Sequence, residues 1–60
     1  MHITITVKKE NHPKRADATL NAIIMAGQMY REAFEPVTVA ETDAAYLVTV
    51  KRKEAVVHEG

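Results

Sequence analysis

Apolar and polar residues alternate strictly over His2-Ile3-Thr4-Ile5-Thr6-Val7-Lys8, with Ile3, Ile5 and Val7 on one side and His2, Thr4, Thr6 and Lys8 on the other. Period two with β-branched residues at nearly every step predicts a strand. Lys9-Glu10-Asn11-His12-Pro13 breaks the alternation, and Pro13 suits the first turn of a helix. From Pro13 or Lys14 to Glu35 the pattern predicts a helix halted by Pro36, with Asp17 as the cap of an alternative, later start. Ala16, Ala18, Ala22, Ala26, Ala33, Leu20, Met25 and Met29 favour it. Gly27 weakens it by up to about 1 kcal/mol relative to alanine, which a neighbouring backbone in close approach would explain.

Beyond Pro36, Val37–Thr42 and Ala45–Lys51 predict two further strands joined at Asp43-Ala44, a short hairpin turn for which aspartate is well suited. Arg52 and Lys53 extend the last strand. Ala55-Val56-Val57 is expected to continue it, to open a short fourth strand or to dock on a partner, and His58, Glu59 and Gly60 to fray.

The element order βαββ implies one α+β domain spanning residues 1–60. A right-handed crossover places the helix on one face of a three-stranded mixed sheet, and the hairpin allows the last strand to lie centrally. The opposite face is lined in part by Thr4, Thr6, Thr38, Thr42 and Thr49. Both sheet edges stay open to another chain.

The helix carries more apolar surface than one small sheet requires. Leu20, Ile23, Gly27, Tyr30 and Phe34 form the stripe expected to cover the sheet; Ala18, Ala22, Met25, Ala26, Met29 and Ala33 form a second. Ile24 falls among Asp17, Asn21, Gln28 and Glu32 on the side expected to be wet. Apolar residues on nearly all sides of a helix imply cover from elsewhere. The small residues at Ala18, Ala22 and Ala26 suit a second helix in close approach. The expectation is a homo-oligomer whose interface includes Ala18, Ala22, Ile24, Met25 and Met29.

Size sharpens this expectation. A chain of sixty residues buries only about 60% of the surface its unfolded form exposes, near the lower limit for folding alone. With no cysteine, disulfides cannot reinforce it. His2, His12 and His58 are scattered without the i,i+3 or i,i+4 spacing of a zinc site. Oligomerisation is the remaining common remedy, and it would complete the fold.

Charge adds little direction. Lys and Arg total eight and balance eight Asp and Glu, so no net field draws nucleic acid. No apolar run reaches the roughly 18 residues of a membrane span and no signal-peptide pattern opens the chain, so a cytoplasmic protein without a membrane partner is expected.

Catalytic chemistry finds no foothold in the pattern. There is no cysteine and no serine, the aliphatic hydroxyls are all threonines, and Glu32, Glu35, Glu41 and Asp43 form no convergent pair. No glycine-rich phosphate cradle or other cofactor motif is present. The best local candidate is Lys8, Lys9, His12, Lys14 and Arg15, which gather positive charge at a helix start, where free N–H groups favour an anion. Lys51-Arg52-Lys53 is a second basic run, of the kind that guards a strand end. Two readings follow. The first is a small homo-oligomeric interaction protein that binds a protein partner, as a regulator or inhibitor of phage or mobile-element type. The alternative is a module binding an anion, nucleotide or nucleic acid at the helix start.

Overall fold

The computed structural model describes residues 1–54; the expectations for Ala55-Val56-Val57 and for residues 58–60 lie outside them. Strand β1 (His2–Lys8), helix α1 (Arg15–Tyr30), strand β2 (Phe34–Glu41) and strand β3 (Ala45–Arg52) follow in that order. The strands form one sheet in the order β1-β3-β2.

The sheet is antiparallel throughout, which corrects the mixed sheet expected above. β3 pairs antiparallel with β1 (Ile3 opposite Val50, Ile5 opposite Val48, Val7 opposite Tyr46) and antiparallel with β2 (Val39 opposite Val48, Glu41 opposite Tyr46). The crossover helix makes β1 and β2 run the same way, but β3 lies between them, so no parallel pair forms. Antiparallel pairing is the slightly stronger arrangement per residue.

The helix ends at Tyr30, well before Pro36. Arg31 takes a left-handed conformation (φ 55°, ψ 40°), the usual stop of a helix whose last carbonyls must be satisfied by a reversing chain. Three residues later Phe34 is already paired, opposite Arg52, and only 5% exposed. Burying that ring from a strand outweighs a further turn of helix. Pro36 therefore belongs to β2, not to a helix end. The returning chain also accounts for Gly27: a Cβ there would sit 3.3 Å from the Glu32 carbonyl oxygen. At its start the helix has Lys14 as N-cap without a side-chain capping bond, and Asp17 falls within the first turn, where a carboxylate suits the helix dipole.

Between Pro36 and Thr38 the register with β3 shifts by one residue, so Val37 is a bulge. The extra residue exchanges the two faces of β2. Phe34 and Val39, an odd number of positions apart, thereby share the helix-facing side with Val48 and Val50.

α1 meets the sheet with alanine. Ala18, Ala22 and Ala26 are fully buried, whereas the stripe expected to cover the sheet is largely outside it: Leu20 and Tyr30 are exposed, Ile23 is half-buried and Phe34 lies in a strand. The sheet supplies the bulk itself, through Ile5, Val7, Phe34, Tyr46, Val48 and Val50. A helix with small residues at every fourth position seats close enough to contact them.

The β2–β3 turn forms at Asp43-Ala44, as expected. Thr42 N–H donates to the Ala45 carbonyl (2.8 Å), and the Ala45 N–H donates back to Thr42 Oγ1 (3.0 Å). Thr42 thus belongs to the turn rather than to the threonine-lined face.

Candidate functional site

The cations of the helix-start segment do not converge on an empty anion site. Lys8 ends β1 exposed, and its carbonyl accepts the Asn11 and His12 N–H groups (3.2 and 3.0 Å) in a tight turn. That turn leaves His12 half-buried and Lys14 exposed. Lys9 reaches across to pair with Glu41 at the end of β2 and sits 5.2 Å from the centre of the Tyr46 ring. Arg15 donates to the Val39 carbonyl (3.3 Å).

The anion that Lys9 holds is the chain's own Glu41. Glu41's carboxyl lies below its ordinary range, through its hydrogen bond from Lys9, then the Lys9 charge, with a smaller contribution from Arg15. Glu41 raises Lys9 in return, chiefly through the same hydrogen bond. The Tyr46 hydroxyl, on a side chain only 6% exposed, donates to the Pro13 carbonyl (2.9 Å) and pins the loop in place. Lys9, Arg15, Tyr46 and Glu41 therefore act as a strap that ties the helix start to β2. The neighbouring depression, about 560 Å³, is walled by Lys8 and Lys9 but also by Glu10 and Asp43, so its charge is mixed. A larger one, about 810 Å³, lies at the other end of the sheet, where Lys51, Arg52 and Lys53 face Glu32 and Glu54; Arg52 is already bonded to Glu32 (2.9 Å).

The residues expected at an oligomer interface divide into two groups. Ala18 and Ala22 are spent inside the chain's own core, which removes them from any interface. Ile24, Met25 and Met29 are exposed, joined by Leu20, which the pattern had assigned to the core. At about 100° per residue, Leu20 and Ile24 point away from the sheet and Met25 lies on a flank. Tyr30 stacks at a tilt on Phe34 of β2 (ring centres 5.8 Å apart) and Arg15 also bonds β2, so that flank of α1 looks to β2. Asn21 and Met25, themselves in contact (3.3 Å), occupy the opposite flank, over β1.

The two sheet edges also differ. On β2, Pro36 has no N–H, Val37 bulges out of register and Arg15 covers the Val39 carbonyl; each of these blunts an edge. β1 has no proline and no register shift across its seven residues. The face of the sheet opposite α1 carries a row of Thr4, Thr49 and Thr38 across the three strands, with the Thr4 and Thr49 hydroxyls 2.9 Å apart. Thr6, Leu47 and Ala40 form the next row.

Among the described residues no three His, Asp or Glu side chains gather as metal ligands, and no helix is long and apolar enough to cross a membrane. No family model, curated protein or solved structure matches the chain.

Proposed function

We propose that this protein is a self-associating interaction module: a homo-oligomer, held together through the apolar side chains that α1 leaves uncovered, that acts by binding a protein partner. The observation that carries the reading is the set of large aliphatic and thioether side chains the fold leaves uncovered on one helix, Leu20 (57% exposed), Ile24 (50%), Met25 (39%) and Met29 (59%). A sixty-residue chain has little core to spare, and four such residues on one element are surface it would stabilise itself by covering. Near the helix start, Lys9 and Glu41 pair with each other and Arg15 is held by the Val39 carbonyl, so the uncovered apolar residues of α1 support a binding role more directly than the charged groups support any other. The flat threonine-lined face on the other side of the sheet is the surface we assign to the partner, since an oligomer joined through α1 leaves it free.

Light scattering coupled to size exclusion tests the association. The wild type is expected to be larger than a monomer at high micromolar concentration. Ile24→Lys combined with Met25→Lys is expected to shift it toward monomer, since fully covering a side chain of this size contributes roughly 1.5–3 kcal/mol. In a chain that is monomeric to begin with, the same changes fall on exposed surface and alter stability by about 0.5 kcal/mol or less each. A monomeric wild type rejects the proposal.

A further inference from the structure

The edges of this sheet are not equivalent, and the backbone shows which groups the open one presents. The Lys9 N–H donates to the Ala44 carbonyl (2.9 Å), so at Lys9 the chain directs its hydrogen-bonding groups toward β3. Direction alternates along an antiparallel strand. Val7, Ile5 and Ile3 therefore also face β3, while His2, Thr4 and Thr6 turn their N–H and C=O groups outward, away from the sheet. Among the described residues the groups of Thr4 and Thr6 have no partner, since β1 is an edge in the order β1-β3-β2.

We propose that β1 pairs antiparallel with β1 of a second copy about a two-fold axis at Ile5, joining two three-stranded sheets into one continuous six-stranded sheet. This rests on the self-association proposed above and places one contact of it: Leu20 and Ile24, which point away from the sheet, stay outside the edge pairing, and Met25 is the uncovered helix residue that lies beside it. The strand is complementary to itself in that register. Thr4 meets Thr6 of the second copy, which places outward-facing groups opposite outward-facing groups, as reciprocal hydrogen bonding requires. Ile3 meets Val7 and Ile5 meets Ile5 of the second copy, so the apolar sides coincide and both helices lie on the same face of the joined sheet. A register one residue away would oppose Ile and Thr and set the apolar side against the polar one.

The flank of α1 over β1 fits this arrangement. Asn21 and Met25 occupy it, and Met29 follows Met25 by one turn. With α1 seated over the central β3, the two helices would stand three strand spacings apart, about 14 Å at ~4.8 Å each. Directly packed helices lie 8–10 Å apart, so the space between them calls for long, adaptable side chains, and methionine is the residue that fills such gaps. β2 is unsuited to the same pairing. Pro36 has no N–H to offer and the Val37 bulge interrupts the edge, whereas β1 is regular along its length.

Amide hydrogen exchange followed by NMR on the intact chain tests the proposal, together with light scattering on the same samples. In the dimer the Thr4 and Thr6 amides are expected to be protected, and their protection to fall on dilution along with the dimer fraction. Thr4→Pro removes an outward N–H at a position where an edge strand tolerates proline. It is expected to raise the dimer dissociation constant about tenfold or more while leaving the far-ultraviolet circular dichroism of the folded chain. If that variant does not fold, the wild-type exchange pattern decides alone. A dimer in which Thr4 and Thr6 exchange as fast as exposed loop amides overturns the edge pairing and leaves self-association standing. A wild type that is monomeric at high micromolar concentration overturns both. Thr4 and Thr6 protection that appears only on adding an extended peptide of another protein would make this edge a peptide-binding strand and overturn the second copy as its occupant.

Discussion

Arg31 decides where the helix ends, and it does so at a cost. A side chain in the left-handed region crowds its Cβ against the following carbonyl, and glycine is the residue that avoids this. Arg31 is the one non-glycine residue with positive φ among the described residues, and it follows directly on α1. Arg31→Gly is therefore expected to stabilise the fold, by about 0.5–1 kcal/mol after allowing for the greater freedom glycine gives the unfolded chain. That corresponds to a melting temperature raised by a few degrees, on the order of 2–8 °C for a domain of this size; thermal denaturation read by circular dichroism measures it. A lower melting temperature would show that the Arg31 side chain contributes more than its backbone costs. The same residue explains why the helix end was not legible. Pro36 is a strong sequence signal, and arginine carries no mark of a left-handed stop.

At the scale of elements, strands were the more readable class, because period two with β-branched residues leaves few alternatives. The first strand and the hairpin turn stand where the pattern put them. Two features escaped it. The bulge at Val37 has no signature in Pro36-Val37-Thr38, yet it allows Phe34 and Val39 to share a face. The face of α1 that meets the sheet escapes the pattern because the pattern marks the largest side chains for burial, whereas Ala18, Ala22 and Ala26 are the buried ones. The alanines were visible as a stripe suited to close approach, and what approaches them is the chain's own sheet. The strap between the helix start and β2 was legible only as a cluster of cations. Its pH dependence follows from the pair. Glu41, lowered from 4.5, stabilises the fold fully above that value and loses its contribution as pH falls through its lowered value. Lys9, raised from 10.5, contributes fully below that value and loses its contribution as pH rises through its raised value. The pair thus acts between 4.5 and 10.5. Glu41→Gln is expected to lower stability by a constant amount across neutral pH, with the difference from wild type closing below pH 4.5. Urea titrations at several pH values measure it. A gap that persists in strong acid would mean that Glu41 acts through packing instead of charge. Because the pair lies at the surface, with Glu41 exposed and Lys9 half-buried, salt should narrow the gap as well.

For the whole molecule, the α+β class and the βαββ order follow from the spacing of the elements, whereas the purely antiparallel sheet depends on which strand lies in the middle. Chain order alone leaves that open: a hairpin can add its last strand outside or between. Lying between, β3 is the most buried strand, with Val48 and Val50 fully covered, and the two strands left at the edges are β1 and a β2 that is already blunted. Among the described residues the sheet thus has one open side, and α1 leaves its uncovered apolar residues on the same molecule's outer surface. A chain with that distribution should owe part of its stability to association, and mass action gives this a direct signature. Where the folded protomer associates and the unfolded chain does not, diluting the protein shifts the balance toward unfolding. The melting temperature of the wild type is therefore expected to rise with protein concentration across the micromolar range, and that of Ile24→Lys with Met25→Lys to rise less steeply. Thermal scans over a hundredfold range of concentration, about 2.7 kcal/mol in RT ln terms, give ample span to see the slope. A wild-type melting temperature that stays constant over that range would mean that the folded state is complete as a single chain, with Leu20, Ile24, Met25 and Met29 simply tolerated in water.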